Sequence, residues 1–247
     1  MTRYKLEIEY LGTRYAGWQM QTGQPSIQAA VEDAVFALCQ ERTECYSAGR
    51  TDAGVHAISM TAHTDIGKKL AVRNILLGLN FHLQKSGHPI TILSVKKTPP
   101  DFHARFSCIR RNYVYKILNR PTPPSIEAGR VWWVRQKLDV KAMDRVSKTL
   151  IGTHDFSTFR ATECQADSPV KTLDSISVRQ RGENITVKTN ARSFLHHQVR
   201  NMVGTLVLVG EGKWNDSDFA RAFAAHDRTK GGPTAPAEGL YFEKAEY

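Results

Sequence analysis

The sequence predicts an α+β protein built from two related halves, and two observations carry that expectation. The predicted elements run strand, helix, strand, helix, strand, and then again as strands and helices in blocks. Thr98-Pro99-Pro100 interrupts regular structure and reads as a hinge between the halves. The 247 residues are enough to bury a good core, either as one large domain or as two of ordinary size. The halves are drawn at 1–100 and 101–247, and no repeat is legible residue by residue.

Tyr4–Tyr10 alternates with a period of two, placing Leu6 and Ile8 on one face and Lys5, Glu7 and Glu9 on the other, the pattern of a half-buried strand. Ser26 is suited to cap a helix whose apolar face repeats at Ile27, Val31, Ala34, Val35 and Leu38. The loop Ala48–Ala57, AGRTDAGVHA, follows that helix and precedes the apolar-polar run Ile58–Thr64. Val72–Leu83 reads as a second helix and Ile90–Val95 as a further strand. Beyond the prolines, Asn112–Leu118 alternates with Tyr113, Tyr115 and Ile117 on one face, and Pro121, Pro123 and Pro124 end it. Asp139 is placed to cap a helix running to Ile151, with Gly152 at its stop. Ser175–Arg179 and Asn184–Thr189 form a hairpin pattern turning at Arg181-Gly182-Glu183. Gln198–Val209 and Asp218–Ala225 read as two more helices.

Lys and Arg number 34 against 24 Asp and Glu, a formal net charge of +10. Such a balance favours a polyanionic partner, nucleic acid foremost, because phosphates release counterions on meeting basic surface. The four cysteines form no CxxC pair, and none has a histidine at zinc-ligand spacing, so no metal is expected. The first residues alternate polar and apolar rather than forming a signal peptide, and no apolar stretch approaches the roughly 20 residues of a membrane span. A reduced, cytoplasmic setting is therefore the default expectation. GxGxxG after a strand, GxxxxGK[ST] and GxSxG are absent, which sets aside dinucleotide, nucleoside-triphosphate and serine-hydrolase chemistry. The octamer of a simple RNA-recognition domain is absent too.

Three stretches carry candidate chemistry. In AGRTDAGVHA, a carboxylate at Asp52 beside the guanidinium of Arg50 would stay charged and serve as nucleophile or base, and the flanking glycines would admit close backbone approach. The alternative is a tight turn bearing a surface ion pair. Ser193–Gly204 places an aromatic residue, two histidines and Arg200 at the start of an apolar helix; Arg200 there either meets an acid or reaches water by its long stem. Phe102–Tyr115 interleaves basic residues with aromatics, as nucleic-acid surfaces do and as a strand with a core-facing aromatic row also would.

In chain order stand Tyr10-Leu11-Gly12, Ala16-Gly17-Trp18-Gln19, Ser26-Ile27-Gln28, the whole of Ala48–Ala57 and Phe102-His103-Ala104-Arg105-Phe106-Ser107. Tyr113, Tyr115, His154-Asp155-Phe156, Phe194-Leu195, Val199-Arg200-Asn201 and Ala235–Leu240 follow. In these stretches, taken in order, the chain resembles the bacterial tRNA pseudouridine synthase A family nearly end to end. It departs at His196 and Gln198, where the family typically has Tyr and Met.

The resemblance implies a pseudouridine-synthase fold of two similar α/β halves, with mainly antiparallel sheets forming a central cleft. It implies isomerisation of uridine at positions thirty-eight to forty of the tRNA anticodon arm, without a cofactor or metal, by a homodimer whose two subunits share one tRNA. By the same resemblance Asp52 is the essential aspartate, Tyr113 stacks on the flipped uracil, Arg200 pairs with the aspartate and Arg50 shapes the loop. Arg14, Arg105, Arg110 and Arg111 are selected from charge and placement as contacts to the anticodon arm. Two other functions compete: the same chemistry at another RNA position, and a non-catalytic tRNA-binding protein.

Overall fold

A computed structural model describes residues Met1–Tyr247. They form two units, one of Met1–Arg111 with Tyr241–Tyr247, the other of Asn112–Leu240. The elements in chain order are β1 (Thr2–Tyr10), α1 (Ile27–Cys39), β2 (Tyr46–Ser47), β3 (His56–Ile66), α2 (Val72–Lys85) and β4 (Ile90–Lys97). There follow β5 (Arg110–Asn119), β6 (Trp132–Val134), α3 (Val140–Ser147), β7 (Gly152–Asp155), β8 (Val170–Arg181), β9 (Asn184–Ala191), α4 (Gln198–Gly210), α5 (Asp216–Ala224) and β10 (Leu240–Glu246). No helix is long and apolar enough to cross a membrane.

In the first unit the strands lie in the order β4-β1-β3-β10, with β2 also on β3. β1 is central: it runs antiparallel to β3, Leu6 opposite Ala62, and antiparallel to β4, Leu6 opposite Val95. Its alternation is that of the sequence, with Tyr4, Leu6, Ile8 and Tyr10 buried. The last strand, β10, joins in parallel, setting Tyr241 opposite His56 and Phe242 opposite Ala57. α1 begins where Ser26 accepts a hydrogen bond from the Ala29 amide at 3.2 Å, and ends on Gln40 in the left-handed region. α2 is pinned to β4 by a reciprocal pair: the Asn80 amide donates to the Ile92 carbonyl at 2.9 Å, and the Ile92 N–H donates back at 2.8 Å. The Thr98–Pro100 segment is tied to β1: Thr98 N–H donates to the Arg3 carbonyl, and the Arg3 guanidinium donates to the Pro100 and Phe102 carbonyls while forking onto Asp65 at 2.9 and 2.8 Å.

His63, buried on β3, accepts from the Ala104 amide through Nδ1. Burial, and after it the charges of His103 and Arg3, bring its pKa from the ordinary 6.5 to about 4, against the opposing pull of Asp65. The folded chain thus binds this proton more weakly than the unfolded chain. The contribution to stability is intact above about pH 6.5 and is lost progressively as the pH falls toward about 4. The urea midpoint is expected to decline through that window, and to decline less steeply in His63→Phe. An equal pH dependence in the two proteins would refute this assignment.

In the second unit the strand order is β5-β9-β8-β7, with β6 parallel to β5. The β8–β9 hairpin turns at Gly182, as its sequence predicts, with Val178 opposite Val187; it is longer than the apolar pattern indicates, since backbone pairing continues through exposed polar positions. Asp139 caps α3 by accepting from the Ala142 amide at 2.9 Å. That helix passes into a 3-10 turn at Lys148–Leu150, and Gly152, with φ of +110°, opens β7 rather than simply stopping a helix. α5 starts at Asp216, two residues before the predicted start, because Asn215 and Asp218 form a reciprocal capping box there. α4 is buried almost all round, consistent with its nearly unbroken apolar sequence. Phe156, Phe159 and Phe219 are fully buried among the core side chains of this unit.

Both units are therefore mixed α/β with mostly antiparallel sheets, the coarse class expected from the sequence. The short strands β2, β6, β7 and the final β10 had no pattern strong enough to predict them.

Candidate functional site

The loop at Asp52 is held from two directions. On one side, Tyr10 at the end of β1 shares a buried 2.8 Å hydrogen bond between its hydroxyl and that of Thr51. On the other, Gly17 bridges to Asp52, and the Trp18 N–H donates to the Thr51 carbonyl at 3.0 Å. The chain turns immediately after the aspartate, where Val55 N–H donates to the Asp52 carbonyl at 3.2 Å and Gly54 takes φ of +78°. Gly54 N–H reaches the Tyr15 carbonyl, and the Gly12 amide donates to His56 Nδ1 at 2.9 Å. The approach leaves no room for side chains: a Cβ at Gly12 would lie 1.9 Å from the Val55 carbonyl oxygen, and one at Gly17 would lie 2.4 Å from that of Thr51. Asp52 itself is half-buried, between buried Thr51 and exposed Ala53.

The entrance to the loop is tied down as well. Ala48 N–H donates to the Thr61 carbonyl, and Arg111 Nε donates to the Ala48 carbonyl at 2.8 Å. A second Arg111 nitrogen donates to the Arg105 carbonyl at 2.7 Å. Burial, followed by the like charges of Arg50 and Arg111, holds the Arg105 guanidinium below the usual arginine range. Arg50, Arg105 and Arg111 therefore form one electropositive neighbourhood beside the aspartate loop.

In the second unit, Tyr113 on β5 is buried and meets Phe194 edge-on, with ring centroids 5.2 Å apart and planes at 87°. Arg200, in the first turn of α4, exchanges two bonds with one residue: its Nε donates to the Ala235 carbonyl at 2.8 Å, and its own carbonyl accepts from the Ala235 N–H. Asn201 is buried with every polar atom engaged. Its amide donates to the Phe159 carbonyl at 2.9 Å, and its oxygen accepts from the Thr234 hydroxyl at 2.7 Å and from Arg228. Tyr115 is fully buried, its hydroxyl donating to the Pro236 carbonyl at 2.7 Å. Burial drives its phenol well above the ordinary tyrosine range, with Arg200 opposing and Glu238 assisting.

Comparison with known proteins places these residues in a family. A family model described as tRNA pseudouridine synthase matches residues 146–247. Over all 247 residues, the chain is 53% identical to the tRNA pseudouridine synthase A of Rhodospirillum centenum, covering the whole of both chains. It is 52% identical, again end to end, to that of Rhodopseudomonas palustris strain BisB18. To that of Rhodospirillum rubrum it is 49% identical, covering all of this chain and 88% of the relative. The chain belongs to the tRNA pseudouridine synthase A family.

Among the residues that the sequence singled out, this member of the synthase A family brings Arg50, Arg105 and Arg111 together around the Asp52 loop. Arg14 is exposed at the end of a 3-10 turn, and Arg110 is paired with Glu246 at 3.2 Å. The departure at Gln198 has a local structural use: its Oε1 accepts from the Leu195 N–H at 2.8 Å, closing the turn before α4, while its Nε2 is buried without a partner. That turn carries His197 in the left-handed region.

The supporting residues carry no chemical signature in the sequence. Tyr10, Gly12 and Gly17 hold the aspartate loop, yet their spacing carries no reactive pattern. Asn201 stands in the sequence only as part of the Val199-Arg200-Asn201 motif, yet it gathers three distant segments. Asn201→Ala is expected to lower unfolding free energy by about 2–4 kcal/mol, because it takes one partner each from the Phe159 carbonyl, the Thr234 hydroxyl and Arg228 at once, although Arg228 keeps its bonds to the Gly232 carbonyl and the Thr234 hydroxyl. Urea denaturation checks this, and a loss below about 1 kcal/mol would show that water replaces the amide freely.

Proposed function

We propose that the chain isomerises uridine to pseudouridine in tRNA, at positions thirty-eight to forty of the anticodon arm, with Asp52 as the essential carboxylate. The observation that supports this most directly is the aspartate loop: a half-buried carboxylate on backbone pinned from both sides, in an electropositive neighbourhood. Catalysis by a positioned carboxylate needs this rigidity, since a displacement of about 1 Å costs on the order of a hundredfold in rate.

The reaction is atom-balanced without a cofactor. The bond from uracil N1 to the ribose C1′ breaks, the detached ring rotates, and a bond from C5 to C1′ forms. The C5 proton leaves and N1 takes up a proton, so substrate and product have the same composition. Asp52 enters as nucleophile or base and is regenerated; attack on C1′ and attack on the base both satisfy this balance. Tyr113 supplies a ring against the flipped uracil, and Arg200 the positive charge that accompanies the aspartate. Arg50 shapes the loop, while Arg14, Arg105, Arg110 and Arg111 grip the anticodon arm. Extruding a base costs a few kcal/mol, which contacts between a basic surface and phosphates offset. The working form in this reading is a homodimer.

Tritium release from tRNA transcripts labelled at uridine C5, followed by mapping of the modified position, tests the proposal. Release mapped to the anticodon arm is the expected result. Release mapped elsewhere would keep the chemistry and overturn the substrate site. Tight binding without release would make the chain an RNA-binding protein.

A further inference from the structure

Close to the aspartate loop, the first unit carries a group of rings that the isomerisation does not use. Phe106 is 74% exposed and Tyr46 45% exposed, although both are large apolar side chains. They are not scattered singly. Phe106 lies 4.4 Å from His103 between ring centroids, and Tyr46 lies 5.4 Å from His103 and 5.2 Å from His63, stacked on the latter at 19°. His103 and His63 are themselves 4.6 Å apart, edge to face.

The turn bearing Phe106 is rigid. The His103 N–H donates to the Ser107 hydroxyl at 3.0 Å, and the Ser107 N–H donates back to the His103 carbonyl at 2.9 Å. His103 Nδ1 accepts from the Arg105 and Phe106 amides, at 3.1 and 3.4 Å, so at neutral pH that nitrogen carries no proton and the ring is neutral. Tyr46 is fixed through its hydroxyl, which donates to Glu44. Cations flank the rings: the Arg105 guanidinium lies 5.7 Å from the Phe106 centroid, and Arg50 and Arg111 are near enough to Arg105 to depress its basicity.

A fixed, exposed aromatic surface on neutral imidazoles, edged by arginines, suits one chemistry: an unstacked nucleobase with its phosphate. Bases present a π-face whatever their identity, and the arginines supply the matching charge. A protein partner is favoured less, because the same edge would set three guanidinium groups against it. Resting on the reading that the substrate is RNA, we infer that Phe106, supported by His103 and Tyr46, is a stacking platform for a nucleobase outside the reacting uridine, with Arg105 on its phosphate. Such a platform recognises an unpaired or extruded base without reading its sequence.

The test compares tRNA transcript binding by wild type, Phe106→Ala, Phe106→Leu and Phe106→Trp across a salt series, with sedimentation of each protein. Phe106→Ala and Phe106→Leu are expected to bind roughly tenfold more weakly, Phe106→Trp to bind as wild type does, and all to keep the wild-type salt slope. Arg105→Ala, by contrast, should reduce the slope by about one. Wild-type affinity in Phe106→Leu would overturn the platform, since leucine preserves apolar contact but cannot stack. A change of oligomeric mass in the Phe106 variants would overturn it too, assigning the rings to a protein interface. Failure of the wild type itself to bind tRNA or release tritium would instead remove the RNA reading on which the inference rests.

Discussion

Asp52→Ala is expected to abolish tritium release from C5-labelled tRNA, lowering the single-turnover rate by at least about three orders of magnitude, while tRNA affinity stays within a few-fold of wild type. The separation of the two effects follows from where the residue stands. Asp52 is one half-buried carboxylate, whereas the charge available to attract a polyanion is distributed over a chain with a formal net charge of +10. Removing one negative charge from an electropositive neighbourhood is not expected to weaken attraction to phosphate. The loop is expected to survive the substitution because several of its ties are to backbone and to Thr51: Gly17 at the Asp52 main chain, Trp18 at the Thr51 carbonyl and Tyr10 at the Thr51 hydroxyl. Thermal unfolding close to wild type, with activity lost, is therefore the expected pair of results. Residual release within tenfold of wild type would reassign the essential group.

Gly17→Ala is expected to damage stability and catalysis together. Its φ of +110° lies in the region that L side chains avoid, and its Cβ would sit 2.4 Å from the Thr51 carbonyl oxygen. Strained backbone of this kind costs about 1–3 kcal/mol, and overpacking against an immovable group a similar amount. The obstruction is main chain, so no side-chain rotation relieves it; the loop has to move. A loss of about 2–5 kcal/mol in urea unfolding and a fall of about a hundredfold in single-turnover rate are expected. Gly23 supplies the control. It also has positive φ, +74°, but a Cβ there meets nothing within 4 Å, so Gly23→Ala should cost only about 1 kcal/mol and leave the rate unchanged. Equal behaviour of the two variants would show that close approach at Gly17 does not position the aspartate.

Much of the fold was legible because local pattern and tertiary demand agreed. β1 alternates in sequence and in burial, Ser26 and Asp139 cap the helices they were expected to cap, and the β8–β9 hairpin turns at Gly182. The disagreements have local causes. α5 begins early because the Asn215 side chain supplies a cap whose partner is Asp218, the residue at which the sequence pattern places the helix start. The strands β2 and β7 are two and four residues long, too short for a period of two to register. In β10, Leu240, Tyr241 and Phe242 are consecutively buried, so alternation was absent where it was sought.

By itself the sequence determined the chemistry on offer: a basic chain, a carboxylate between glycines, no nucleotide or hydrolase motif, and residues whose order matches one family throughout. Those features belong to residue identity and spacing alone. Tertiary structure decided what holds the carboxylate and what surrounds it. Gly17 reaches the Thr51 carbonyl, Tyr10 reaches Thr51 and Arg111 reaches Ala48 across separations of 34, 41 and 63 residues, and a side chain at Phe106 stands exposed on a locked turn. Contacts of that range arise from register between distant strands and from backbone left open by glycine. Neither leaves a periodic mark in the sequence, because the energy lies in the fit of two segments and not in the preference of either one.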